Sequence, residues 1–392
     1  MSEVFITHQP LVTKAGKIMA NRLTLHAPGA GGSAQATAAL QAIEEYWPME
    51  QQAALFLHLE GCTPTPEFFD WMLPENAVLE FSGSHLAEAD APALVATIKS
   101  NAPNLCLDVD AHVAQAAGSG LTFRFVGFDA RSLSPAQIQA LTVKLRGLGA
   151  PLCFNVDTPQ NFTALLQAGM NAAGGWFCKQ PTGQPGKTLA PAQAQIIRVL
   201  NLVRNNADVP QIETALKQDV ALSYKLLRYI NSAGFGLSCE IQSFRHAVTI
   251  LGYDKLHKWL SLLLVTASKD PLAPAQMHVA LTRARLMELL GAGMVDKGEL
   301  DNLFITGAFS LLDVLLGVSM EQALDAMSLP EPILDALLGR GGAYAPFFEL
   351  ALATEGDDPQ RVAAAAQALG LDANRVNAAL LQAMSFAATM AA

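Results

Sequence analysis

At residue 180 this sequence changes period. Gln180-Pro181-Thr182-Gly183-Gln184-Pro185-Gly186-Lys187 sets two prolines and two glycines among polar residues. Such a run lacks the amide donors that a helix or a central strand requires, and it reads as a linker. Before it, short apolar runs alternate with helical patterns. Ala53 to Leu59, Ala77 to Phe81, Leu105 to Val109, Leu121 to Gly127 and Pro151 to Val156 have the length and composition of buried strands, with helices fitting between them over Ala91 to Ser100 and Pro135 to Leu148. Strands alternating with helices predict parallel βα units. After the linker no strand run stands out, and nearly every segment repeats at 3.6 residues. The sequence therefore predicts an α/β domain over 1–180, a linker over 181–191 and an all-helical domain over 192–392.

Composition narrows the class. A chain of 392 residues with 51% hydrophobic and 15% charged side chains buries more than one core and is not disordered. The opening MSEVFITHQP has no basic region followed by an apolar run, so no secretory leader is expected. No stretch is apolar enough to span a bilayer, and the uncharged tail Val376 to Ala392 reads as a packed terminal helix, so no membrane role is expected. Cys62, Cys106, Cys153, Cys178 and Cys239 are widely spaced and read as buried, reduced thiols of a cytoplasmic protein. A net charge of −10 speaks against nucleic acid as a partner. Only residues 190–270 carry more basic than acidic side chains, 9 against 6, and Lys225, Arg228, Arg245, Lys255 and Lys258 are the candidates there for an interaction surface.

Within the helical half, Leu222, Leu226 and Ile230 form one apolar stripe. Asn231-Ser232-Ala233-Gly234-Phe235-Gly236 then turns the chain, and Ser243 is placed to cap a second helix with Phe244, Ala247, Val248 and Leu251 on one face, ending at Gly252. A third helix follows from Tyr253 to Ala267 with Trp259. This helix–corner–helix pattern resembles the HDOD family, as do Arg283-Ala284-Arg285 with Glu288 and the run from Leu303 to Asp313. The resemblance implies a helical module that passes on a state through contacts. The glycine-rich stretch from Leu338 to Tyr344 is expected to be a flexible loop presenting an aromatic.

The first half resembles a shortened, degenerate EAL domain, a β/α barrel. His8-Gln9-Pro10-Leu11 is similar to that family's opening strand, Leu73 to Glu80 to its second segment, Leu105 to Val109 to its paired-aspartate strand, Asn155-Val156-Asp157-Thr158 to its KVET segment and Gly169 to Pro181 to its last strand. The resemblance implies hydrolysis of cyclic di-GMP by a two-metal centre, which needs several oxygens converging on cations about 4 Å apart. The positions that should supply them have changed. Arg22 stands where the signature glutamate is expected, His58 at the asparagine ligand and Val109 at the second aspartate of the pair. Gly127 stands near the expected lysine, Phe154 and Asn155 at the KVET glutamate and lysine, and Gly174 at the final glutamine. Only Glu80 and Asp108 keep the expected chemistry.

A second metal chemistry, that of the HD phosphohydrolases related in fold to HDOD, needs a His-Asp pair on one helix. The chain contains no His-Asp dipeptide, and Ser310-Leu311 occupies that place on a helix running from Ile305 to Leu316. His246, His257 and His278 are read as ordinary surface or satisfied interior histidines. No Walker loop or nucleophile elbow occurs, and Gly29-Ala30-Gly31-Gly32-Ser33 reads as a mobile loop.

The resulting expectation is a non-catalytic bacterial signal-transduction protein without cofactor, resident metal or catalytic residues, acting through contacts with other signalling proteins and compatible with a homodimer. Arg22, His58, Glu80 and Asp108 would then be vestiges of a site. A second reading is a receptor that binds cyclic di-GMP without cleaving it, using Arg22, Arg124 and Arg131 for the phosphates and Trp176 and Phe177 for the bases. Residual phosphodiesterase activity is a third.

Overall fold

The computed structural model describes every residue except 1–2, 30, 50–52, 72–73, 87–90, 102–103, 146, 182–190, 218–242, 266–269 and 392. The chain divides into two compact units, Met1–Gln180 with Leu352–Leu381, and Pro181–Ala351 with Gln382–Ala392.

The first unit is a closed eight-strand barrel: β1 (Ile6–Thr13), β2 (Ile18–His26), β3 (Ala54–Glu60), β4 (Ala77–Ser82), β5 (Leu105–Asp108), β6 (Phe125–Asp129), β7 (Ala150–Phe154) and β8 (Ala172–Gly174). β1 runs antiparallel to both its neighbours, and every other pairing is parallel. The barrel is the architecture that the resemblance to EAL domains implied. Helices α1 (Gly32–Gln41), α2 (Ala91–Asn101), α3 (Val113–Gly118), α4 (Pro135–Lys144) and α5 (Pro159–Gln167) connect the strands. Strands covered on both faces need apolar side chains on both, and all six residues of β4 are buried. Leu11, Phe56, Val78, Leu152 and Phe154 meet in the barrel interior.

Two local expectations shift. β6 starts at Phe125 rather than Leu121, with the apolar Phe123 buried in the approach to the strand. The glycine stretch before Ser33 is not simply a mobile loop, since Gly32 and Ser33 open α1 and both are buried. A Cβ on Gly32 would lie 1.8 Å from the Ala27 carbonyl oxygen, and the Ser33 hydroxyl accepts a hydrogen bond from the Thr65 amide at 2.9 Å.

The barrel seam recruits a distant segment. β8 pairs with β1 only from Leu11 to Thr13, so the outward amides of the first half of β1 lack strand partners. The His8 amide donates to the Thr354 carbonyl at 2.9 Å and the Ile6 amide to the Asn377 side-chain oxygen at 3.0 Å. Asn377 is fully buried and returns a hydrogen bond to the Val4 carbonyl at 2.8 Å. Residues 352–381, which the sequence placed with the helical half, therefore pack within the barrel unit.

In the second unit all described elements are helical: α6 (Pro191–Arg204), α7 (Val209–Lys217), α8 (Phe244–Val265), α9 (Ala273–Gly291), α10 (Lys297–Phe309), α11 (Leu312–Leu316), α12 (Met320–Asp325), α13 (Glu331–Leu337) and α14 (Ala345–Ala353). Helix α15 (Pro359–Ala368) lies in the barrel unit, and α16 (Ala373–Ala391) begins there. The Ser243 hydroxyl caps α8 by accepting from the His246 amide at 3.1 Å. Gly252 adopts φ 75° and ψ 173° and interrupts α8 where the sequence ended its helix. The helix expected from Ile305 to Leu316 is broken at Ser310–Leu311 into α10 and α11. The Asn231–Gly236 corner and the preceding apolar stripe fall outside the described residues.

Two further expectations are corrected here. Tyr344 is 3% exposed, and its hydroxyl accepts from the Asn302 side-chain amide at 3.2 Å, so it anchors the glycine-rich stretch rather than being displayed by it. Lys258 is not a surface lysine. Its ammonium contacts Glu288 at 2.5 Å and Asp301 at 3.1 Å and lies 4.0 Å from the Phe304 ring centroid. Arg245 and Lys255 are exposed, and Lys225 and Arg228 lie outside the described residues.

Candidate functional site at the barrel mouth

Because side chains alternate along a strand, His58 and Glu60 of β3 project to the same side. β2 delivers Arg22 beside them, β4 delivers Glu80 and β5 ends at Asp108. The structure thus brings together the residues that the sequence singled out. The Arg22 guanidinium grips Glu80 through two hydrogen bonds, Nε to Oε1 and Nη2 to Oε2, each 2.7 Å. His58 bridges two carboxylates, with Nδ1 3.0 Å from Glu80 Oε2 and Nε2 3.0 Å from Glu60 Oε2. A ring that donates from both nitrogens is an imidazolium.

The electrostatics agree with this geometry. Desolvation and the Arg22 charge pull the His58 pKa down, but its two carboxylate hydrogen bonds outweigh them and raise it to about 9. Burial alone would raise the pKa of Glu80, yet Arg22 and His58 hold it down at about 2. At Asp108 the pull of the Arg22 and His58 charges is outweighed. Desolvation and the Glu80 charge push its pKa up to about 6. Burial lowers His26, whose Nε2 lies 2.9 Å from the Thr7 hydroxyl.

Phe154 explains Gly127 and helps to explain Gly174. Its ring fills the interior, so a Cβ on Gly127 would lie 2.4 Å from Phe154 Cε2, and one on Gly174 would lie 2.9 Å from Gln9 Oε1 and 3.3 Å from both Leu11 Cδ1 and Phe154 Cδ1. Arg22 Cζ stands 4.5 Å over the same ring. Arg22, Glu80, Phe154, Gly127 and Gly174 therefore form one packed set. Asn155, at the position of the expected lysine, adopts φ 58° and exchanges two hydrogen bonds with Gln9, one donated by each residue, at 2.9 and 3.2 Å.

Gln9, Arg22, His58, Asp108, Phe154 and Asn155 border a cavity of about 850 Å³ at the carboxyl ends of the parallel strands. Sites of β/α barrels characteristically occupy that end. Arg22, His58, Asp108, Arg131 and Trp176 line it, whereas Phe177 is fully buried against Phe162 and Arg124 bonds Asn104 outside it. Sequence reasoning missed Glu60, although the two-residue spacing from His58 was available. It also missed Glu355 and Asp357, which line the cavity from a segment far along the chain.

Both oxygens of Glu80 are engaged by cations, and among the described residues no group of three or more His, Cys, Asp or Glu is arranged to hold a metal ion. In the helical unit His246 is half-buried and His278 buried. His257 departs from the satisfied histidine expected of it. Both its ring nitrogens lack a hydrogen-bond partner among the described residues, and burial with the Arg204 charge lowers its pKa to about 4.

Residues 188–294 match the HDOD domain, so the helical unit carries that domain. The chain is 30% identical over 233 residues to cyclic di-GMP phosphodiesterase CdgJ of Vibrio cholerae, covering 59% of this chain and 54% of that protein. It is 27% identical over 207 residues to the uncharacterized protein YuxH of Bacillus subtilis, covering 51% and 49%. The chain thus spans about half the length of these curated relatives. Among solved structures, the FimX EAL domain of Pseudomonas aeruginosa bound to c-di-GMP aligns at 16% identity with a TM-score of 0.35, over 45% of this chain and 90% of that one. No described helix is long and apolar enough to cross a membrane. The expectation that this chain is not an enzyme is corrected by the first of these relatives, which is a phosphodiesterase at 30% identity.

Proposed function

We propose that this chain serves cyclic di-GMP signalling, with the barrel mouth as the nucleotide's site and the HDOD-bearing unit as the part that contacts other signalling proteins. The observation that carries the reading is the 850 Å³ cavity at the carboxyl ends of the strands, which combines the guanidiniums of Arg22 and Arg131 with the Trp176 ring. That volume falls within the usual range for ligand sites, arginines suit phosphate oxygens and an indole suits a purine face. The phosphodiesterase relative supports the choice of nucleotide.

Charge sets a condition on binding. Glu60, Asp108, Asp110, Asp129 and Asp157 also line the mouth, so a doubly negative ligand meets more carboxylates than cations. Affinity is therefore expected to rise with Mg²⁺ present, through general neutralisation of charge. The test is calorimetric titration with cyclic di-GMP, with and without Mg²⁺, and chromatography of the same samples for the linear dinucleotide. Heat of binding supports the mouth as the site, and linear product adds turnover to it. No heat under either condition sinks the nucleotide half of the reading and leaves the HDOD unit to be tested by pull-down.

A further inference from the structure

The mouth is partly closed by the chain's own carboxylates. Helix α14 ends at Ala353, and the next residues run across the end of the barrel: Thr354, Glu355, Gly356 and Asp357. The first is pinned by β1. Its carbonyl accepts from the His8 amide at 2.9 Å and from His8 Nδ1 at 3.2 Å, and the His8 ring packs edge-on against Trp176 at 5.3 Å.

The two carboxylates that follow each meet a cation: Asp357 meets Arg131, which lines the cavity, and Glu355 meets Lys179, which stands beside the lining ring of Trp176. Glu355 Oε2 accepts from the Lys179 ammonium at 2.9 Å, with the Glu355 side chain 2% exposed, and Lys179 Nζ lies 4.1 Å from the Trp176 ring centroid. Asp357 Oδ2 reaches Arg131 Nη1 at 2.5 Å in a pair that is more than half exposed on both sides. The inner pair is shielded and the outer one is screened by solvent, so the outer pair is the weaker latch. Glu355, Gly356 and Asp357 all line the cavity.

We propose that Thr354–Asp357 is an acidic plug, whose two carboxylates occupy the Lys179 and Arg131 cations that a ligand bearing two phosphate groups would otherwise take. The ligand then displaces the plug as it enters, and part of its binding free energy goes into breaking the two ion pairs. This inference rests on the mouth being the nucleotide site.

The experiment uses the full chain and cyclic di-GMP with Mg²⁺. The double variant Glu355→Gln with Asp357→Asn keeps the shapes and removes both charges. Its binding is expected to be at least about tenfold tighter than that of the unsubstituted chain, while Arg131→Gln weakens binding in either background. Hydrogen exchange of residues 352–358 in the unsubstituted chain supplies a readout that needs no variant: saturating nucleotide should speed exchange there. If the unsubstituted chain binds and neither affinity nor exchange changes in these directions, the plug is wrong and the site stands. If no chain binds, the site itself is wrong and the plug falls with it. If only the double variant binds, both hold.

Discussion

In the barrel, Arg22, His58 and Glu80 lock together at 2.7–3.0 Å. In the helical unit, Lys258 joins Glu288 and Asp301 at 2.5 and 3.1 Å, and Arg285 meets Glu288 at 2.6 Å. Both are ion clusters built around a largely buried cation, and they differ in what surrounds them. Lys258 ties α8 to α9 and α10 over the face of Phe304, so its charge is spent on fixing helices. The barrel cluster stands at strand ends, where Arg22, His58, Glu60 and Asp108 also border a cavity. Burial and pairing thus do not by themselves identify a site. An ion cluster that keeps one side against an open cavity is the better candidate, because its field can act on something that enters.

The comparison breaks most visibly at Arg22. Arg22→Met leaves the buried Glu80 sharing the His58 imidazolium with Glu60, and a loss of about 3–5 kcal/mol in denaturant unfolding is expected, because one cation then faces two carboxylates. Adding Glu80→Leu should recover most of that loss. A single variant within about 1 kcal/mol of the parent would mean that the pair is far better solvated than its geometry indicates.

His58 sharpens the contrast through pH. Its pKa rises from 6.5 to about 9 on folding, so its stabilisation is complete below pH 6.5 and is lost as pH climbs through about 9. That shift corresponds to roughly 3 kcal/mol at most. The lowered pKa values of His26 and His257 act below pH 6.5, outside the window from 7 to 9 in which His58 acts. Thermal unfolding should weaken across that window in the parent and run flat in His58→Gln. A parent profile that is already flat would refute the bridged imidazolium.

Lys258→Met tests the other cluster. Its partners are partly solvated, with side-chain exposures of 15% and 23%, so the loss is expected at about 1–3 kcal/mol, with no effect on cyclic di-GMP affinity. A change in that affinity would undo the distinction drawn between the two clusters. The smallest effect belongs to Tyr344→Phe, which removes one hydrogen bond to Asn302 and should cost about 0.5–1.5 kcal/mol. A neutral result would return that stretch to the flexible loop expected from its glycines.

Much of the barrel was legible because strands covered on both faces must be apolar on both, and β3, β4, β5 and β7 lie within a residue or two of where the sequence put them. The Ser243 cap and the break at Gly252 were legible for a similarly local reason, since a cap and a left-handed backbone each require particular residue types. Lys258 misled because helical patterning puts a lysine on the wet face by default, and only the carboxylates of α9 and α10 draw it inside. Each altered position at the site was visible singly, as Arg22, Phe154, Gly127 or Gly174. Their dependence on one another was not, because it runs through the Phe154 ring.

The sequence by itself determined the two periods, the strand and helix segments, the HDOD resemblance and the identities of Arg22, His58, Glu80 and Asp108. Those properties are carried by residue types at short spacing, where local sterics and alternation act. Tertiary structure alone decided that Arg22 grips Glu80 and that Phe154 packs into the space beside two glycines. It also decided that residues 352–381 complete the barrel seam and bring Glu355 and Asp357 to its mouth. Each of these is a contact between residues far apart in the chain, set by which amides and charges are left without partners once the strands have closed, and no local pattern encodes that remainder.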